Sequence, residues 1–255
     1  MNAAGRPVTL RVNAIGAAQV QEHGFEAAET VIVILGGRCD VDFGAGGPAW
    51  YDLGSRADVF DGRATACYVP PGRRAGITGR SPGVRYAVVS APVPSAWAAP
   101  EPYVVLPGDI VPEVRGSGVW EREVHDIVGP ERPASGLLVG ETFSAEGVWS
   151  SYPPHKHDSH NPPHESCQQE AFLVRVAPPS GFGVFVHYPS TADERQATIV
   201  EDGAVVTVTE GFHSFAAAAG HRFYYLWALA GGERELRFHT DPRHEWQLTS
   251  SGRPA

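Results

Sequence analysis

The sequence predicts an all-β protein of two related halves, and three observations carry that prediction. Short β-branched and aromatic runs recur along the 255 residues, with no long stretch of helical periodicity. The 29 glycines and 22 prolines are spread through the chain, as turns between many short strands require. The run ATACYVPPGRR in the first half has a weak counterpart, AVVTVTEGFH, in the second.

The elements follow in order. TVIVILGGRCDVDF (30–43), ATACYVPPG (64–72) and VRYAVVSA (84–91) are the strands of the first half. From Pro92 to about Val119 the chain is rich in Pro, Ala and Gly, which marks the connection between the halves. EAFLVRV (170–176), FGVFVHY (182–188), AVVTV (204–208) and RFYYLWALA (222–230) are strands of the second. In the paired runs Gly72 and Gly211 each follow an apolar strand, where a tight turn calls for glycine's access to positive φ. The division expected is residues 1–115 and 116–255. His23 is the only one of the 11 histidines before residue 125, so any histidine site belongs to the second half.

Composition narrows the function classes. Lysine plus arginine number 20 against 29 aspartate plus glutamate, a net charge of −9. That balance argues against nucleic acid and against an anionic membrane surface as partners. No run approaches the roughly 18 apolar residues of a membrane span, and the first residues lack a signal-peptide core. Cys39, Cys67 and Cys167 are widely spaced and odd in number, as expected of reduced thiols in a cytoplasmic protein.

The chemistry is concentrated at YPPHKHD (152–158). In an extended segment residues two apart face the same way, so His155 and His157 can hold one metal ion from a strand stiffened by Pro153 and Pro154. His213, just past the Gly211 turn, is the best third ligand. Glu165 and Glu170 are the candidate carboxylates. Glu170 is preferred, because a carboxylate on the apolar face of EAFLVRV is costly without a compensating cation, whereas Glu165 lies in a polar loop. Three imidazoles and a carboxylate without a thiolate suit a catalytic site with open positions.

This order of ligands resembles the cupin superfamily, with Gly203, Thr209, Gly211 and His213 in place of its second motif. Thr209 stands where proline is usual, and one residue rather than two separates Gly211 from His213. The run GETFSAEGVWSSYPPHKHD (140–158), with VHDI (124–127), RADVFDG (56–62), PPSGFG (178–183), EDGAVVTVTEGFH (201–213) and YYLWALAG (224–231), resembles the 5-deoxy-glucuronate isomerase family over nearly the whole chain. The resemblance implies a bicupin: two tandem jelly-roll-like cupin domains, a degenerate one without metal (1–115) and a metal-bearing one (116–255). It implies His155, His157, Glu170 and His213 as ligands of one divalent ion, zinc or manganese before iron or nickel. It also implies a sugar-acid substrate, a cytoplasmic homo-oligomer of inositol catabolism, and isomerisation of 5-deoxy-glucuronate to 5-dehydro-2-deoxy-gluconate.

Some residues depart from the family pattern. Gln169, Phe172, Leu173 and Val174 replace an acidic and tyrosine-rich run, and Phe185 and Val186 replace a Gln-Arg pair. Alternation puts Phe172 and Val174 on the ligand face, which predicts a drier cavity. Glu141 and Tyr152 are the candidate proton carriers. Arg175 and Lys156 are the candidate substrate contacts, although alternation turns both from the ligand face. An iron-dependent oxygenase and a non-catalytic sugar-acid-binding bicupin are the alternatives that this altered shell leaves open.

Overall fold

The computed structural model describes residues 7–44, 47–93, 100–190, 194–232 and 234–248. The chain is all-β and forms two compact units. One comprises Pro7–Val111 together with His125–Gly140, the other Pro112–Val124 together with residues from Glu141 onward. Among the described residues no helix is long and apolar enough to cross a membrane.

The first unit contains β1 (Thr9–Ile15), β2 (Val20–Phe25), β3 (Ala28–Gly36), β4 (Cys39–Asp42), β5 (Ala49–Leu53), β6 (Thr65–Val69), β7 (Arg73–Gly79), β8 (Val84–Pro92) and β9 (Tyr103–Val105). They form one sheet in the order β1-β8-β3-β6-β9 and another in the order β2-β7-β4-β5. Ile32, Ile34, Cys67 and Tyr86 of the first sheet pack with Cys39, Val41, Ala75 and Ile77 of the second. β3 carries the β-branched run ETVIVIL, and its interior position between β8 and β6 explains why all seven of those residues are buried.

Residues 125–140 group with these strands for a polar reason. Glu29 is fully buried, and its carboxylate accepts the backbone N–H groups of Ser135, Gly136 and Leu137 at 2.7, 2.5 and 2.8 Å and the Tyr68 hydroxyl at 3.0 Å. A buried carboxylate needs such donors, and the 135–137 segment supplies three together.

The remaining strands are β10 (Pro112–Arg115), β11 (Arg122–Val128), β12 (Leu137–Ser144), β13 (Trp149–Lys156), β14 (Gln168–Ala177), β15 (Phe182–Tyr188), β16 (Gln196–Glu201), β17 (Val205–Val208), β18 (Phe212–Ala217), β19 (Arg222–Gly231) and β20 (His239–Thr240). One sheet runs β10-β11-β12-β19-β14-β17 and the other β16-β15-β18-β13-β20. The segment read from sequence as a connection, of which 94–99 lie outside the described residues, therefore includes short strands at two sheet edges, β9 and β10. In the second unit an aromatic core fills the space between the sheets. Phe172 lies 5.0 Å from Phe215 and 5.4 Å from Tyr225, and Phe215 lies 5.7 Å from Phe223, between ring centroids.

Gly72 and Gly211 both adopt the positive φ expected of them, +80° and +84°. At Gly211 a side chain is excluded twice over, since a Cβ would lie 2.7 Å from the Tyr188 carbonyl oxygen. Cys39, Cys67 and Cys167 are free and buried.

Candidate metal centre

The local sequence of β13 sets the geometry. From Ser150 to His155 this strand advances five residues, while its partner β18 advances two, from Phe215 to His213. The bulge falls on Ser151, Tyr152, Pro153 and Pro154. Two of these lack an N–H for the ladder, and Ser151 sits at φ +48°, a conformation that strand residues avoid. The consequence is that pairing resumes with His155 directly opposite His213.

His155, His157 and His213 bring one ring nitrogen each to within 4.8 Å of one another. They come from the five-stranded sheet or its immediate edge. Glu170 enters from β14 of the facing sheet, and its Oε2 lies 3.0 Å from His157 Nε2 and 3.2 Å from His213 Nε2. His157, Glu170 and His213 are buried. Each Nδ1 faces a backbone carbonyl: His155 to Pro153 at 3.2 Å, His157 to Gln168 at 3.0 Å, His213 to Gly211 at 3.4 Å. A carbonyl oxygen only accepts, so each Nδ1 carries the proton and each Nε2 is the nitrogen left for the centre.

The electrostatics suit a cation-binding site. Burial together with the neighbouring imidazoles pushes His155 down to about 3, so it is neutral at physiological pH. Burial also lowers His213. Burial opposes the charge on Glu170, but the His157 bond and the adjoining His213 ring outweigh it and hold the carboxyl at about 2. His157 is raised against the effect of burial by its bond to that carboxylate. His213 Nε2 is buried and makes no well-formed hydrogen bond, although it points at Glu170. Two neutral imidazoles, a third paired to an ionised carboxylate, and an orphaned ring nitrogen fit one divalent cation.

A cavity of about 60 Å³, open to solvent on one side, adjoins the cluster, with His155 and Glu170 in its wall. Arg115, Arg122, Thr142, Ser151 and Tyr225 supply its polar lining. Phe238 also lines it and lies over the cluster, 4.7 Å from the His155 ring and 5.6 Å from that of His157.

The profile of the KduI/IolB family matches residues 2–247 of this sequence. The chain belongs to the KduI/IolB family. Among its relatives, a 5-deoxy-glucuronate isomerase of Geobacillus kaustophilus is 36% identical over 223 residues, 87% of this chain and 79% of that protein. Another, from Shouchella clausii, is 32% identical over 244 residues, 95% and 88% of the two chains. The crystal structure of an IolB-like protein from Salmonella typhimurium superposes with a TM-score of 0.89 at 29% identity, covering 95% of this chain and 90% of that one. An oxalate decarboxylase from Lactobacillus farciminis, with a TM-score of 0.63 at 10% identity over 92% and 80%, shares the cupin fold alone.

Within this KduI/IolB chain the four expected ligands come together. The other sequence candidates are placed elsewhere. Glu141 is fully buried and accepts the Tyr224 hydroxyl at 2.7 Å. Tyr152 accepts a hydrogen bond from Gln247 at 2.9 Å and packs against Trp149 and Trp120. Arg175 is paired with Asp202 at 2.7 Å. Lys156 is kept protonated, against burial, by Asp158 and Glu165 at 2.7 and 2.8 Å. None of the four lines the cavity. Glu165, expected to be solvated, is buried as the partner of Lys156 and of the Asp158 and Ser159 N–H groups.

Phe172 and Val174, expected to dry the cavity, do not line it, and β14 contributes Glu170 to its wall. Both residues are fully buried, and Phe172 packs 5.9 Å from the His213 ring. The donors come from β10, β11, β12 and β19 and from the bulge of β13. Sequence reasoning missed Arg115 and Arg122 because they lie in and just past a stretch that reads as linker. Tyr225 was hidden inside an apolar run. The available signal was the pair of arginines flanking GSGVWE (116–121), an otherwise uncharged hairpin until its last residue.

Proposed function

We propose that this protein is a metal-dependent aldose–ketose isomerase that converts 5-deoxy-glucuronate to 5-dehydro-2-deoxy-gluconate. The observation that carries the reading is the convergence of three Nδ1-anchored imidazoles with Glu170, in a chain matched over most of its length by relatives of that name. His155, His157, Glu170 and His213 would hold the ion, and three nitrogens with one oxygen favour zinc or manganese. A divalent cation there supplies a Lewis acid that stabilises charge on the C1 and C2 oxygens as hydrogen moves between the two carbons.

The chain's own contribution is position and proton handling. Tyr225 Oη shares hydrogen bonds with Ser150 Oγ at 2.7 Å and Ser151 Oγ at 3.2 Å, and it lines the same cavity as His155. It is the cavity hydroxyl best placed to carry a proton, in place of Glu141 or Tyr152. Phe172 and Phe238 exclude water from the histidines on two sides. The three buried free thiols support a reducing, cytoplasmic location.

The test couples metal analysis of the purified protein to turnover of 5-deoxy-glucuronate. Chelation, or His155→Ala, abolishes turnover, and the appropriate divalent ion restores the chelated wild type. Turnover that persists after complete metal removal overturns the reading.

A further inference from the structure

We propose that Arg122 is the receptor for the carboxylate of an open-chain sugar acid and thereby sets which end of the substrate reaches the metal centre. The proposal rests on the isomerase reading for its physiological substrate, but not for its chemistry.

Arg122 opens β11 and lines the cavity that also contains His155 and Glu170. It is half-buried, and that burial lowers its pKa from the usual arginine value. Its hydrogen bonding is nearly empty. Nη1 donates to the Trp120 carbonyl oxygen at 3.3 Å, and the guanidinium stands 5.7 Å from the Trp120 ring. Among the described residues no carboxylate pairs with it. Five N–H donors and one such acceptor leave most of the fork unused, facing a part-dry cavity.

A half-buried cation in this state is costly, and an anion delivered by the ligand is the natural remedy. A carboxylate matches the planar fork with two parallel hydrogen bonds. Arg115 adds positive potential to the same wall but is already engaged, its Nε and Nη2 donating to Glu113 Oε2 at 3.1 and 2.8 Å. The division of labour is then plain. Arg122 takes the carboxylate, the Tyr225 and Ser151 hydroxyls face the middle of the cavity, and the aldehyde end meets the metal ligands.

The experiment measures binding of D-gluconate and D-glucitol, two open-chain probes that differ in the carboxylate and cannot be isomerised as aldoses. Calorimetry is run on the metal-loaded wild type, Arg122→Met and Arg122→Lys, with metal content and melting temperature recorded for each. Wild type is expected to bind gluconate at least 30-fold more tightly than glucitol. Arg122→Met is expected to lose that preference with its metal content unchanged, and Arg122→Lys to recover only part of it. Should Arg122→Met fail to fold, Arg122→Lys alone decides, because losing the bidentate fork must still weaken gluconate several-fold. Gluconate affinity within threefold of wild type in the folded variants overturns the proposal. So does gluconate binding that follows the metal and ignores Arg122.

Turnover of 5-deoxy-glucuronate separates this proposal from the reading it builds on. A wild type that does not turn over yet binds gluconate through Arg122 retires the isomerase and leaves the carboxylate site. Normal turnover with an unchanged KM in Arg122→Met does the reverse.

Discussion

Asp158 Oδ2 accepts the backbone N–H of Gly211 at 2.7 Å, joining residues 53 apart in sequence. Asp158 directly follows His157, and the Gly211 carbonyl in turn faces His213 Nδ1 at 3.4 Å. One carboxylate therefore fixes the spacing between the two arms of the histidine cluster. Burial opposes its charge, but the Gly211 N–H and the Lys156 ammonium outweigh that and hold Asp158 at about 2, so it is ionised throughout the working range.

Asp158→Ala should loosen metal binding by about 10- to 100-fold, the usual cost of losing a group that orients a ligand. The measurement is a competitive metal titration of the folded variant. An unchanged affinity would show that Gly211 is held by its own turn alone.

Tyr225→Phe removes the hydroxyl shared with Ser150 and Ser151 and leaves the ring in the Phe172–Phe215 stack. A fall in kcat of about 10²- to 10⁴-fold is expected, with metal affinity preserved. Steady-state kinetics alongside metal content check it. An undiminished kcat would take the proton from Tyr225 and give it to another group.

Asp241 illustrates a contribution that depends on pH. It is buried and accepts hydrogen bonds from the Tyr188 hydroxyl at 2.6 Å and from Arg243. Burial would raise its pKa, but those bonds outweigh it and bring the carboxyl from 3.8 to about 2. A depressed folded pKa contributes stability that is complete above about pH 4 and is lost as pH falls through 2; the full amount is on the order of 2 kcal/mol. Unfolding at pH 5 and at pH 2.5 should show wild type and Asp241→Asn converging at the lower value. A constant gap would mean the charge contributes nothing.

Glu29→Gln replaces one accepting oxygen by an amide that must face backbone N–H groups. With three such donors and Tyr68 around it, the loss should be about 3 kcal/mol, read as a lowered denaturant midpoint. Metal content of the folded fraction should not change.

The strands and the grouping of His155, His157, Glu170 and His213 were legible in the sequence because they obey short-range rules. Alternation placed His155 with His157 and turned Lys156 and Arg175 away, and glycine's freedom marked Gly72 and Gly211. The cavity was not legible. Arg122 matters through its neighbours across the sheet, and nothing in the run EVRGSGVWEREV separates an edge strand from a linker. Glu165 was misjudged for a similar reason: a carboxylate in a polar loop looks solvated until Lys156 is brought to it from a strand. Glu141 and Tyr152, the candidate proton carriers, are each committed to a hydrogen bond elsewhere.

The bond set around Glu29 bears on the order of events during synthesis. The first unit is interrupted by Pro112–Val124 and is completed only by His125–Gly140. A ribosome that has released 111 residues has exposed every strand from β1 to β9, yet Glu29 still lacks the three N–H groups that make its burial tolerable. Until Leu137 emerges, the nascent sheet must keep that carboxylate wet. The hydrogen bonds that satisfy Glu29 can therefore be complete only after residues 135–137 have been made.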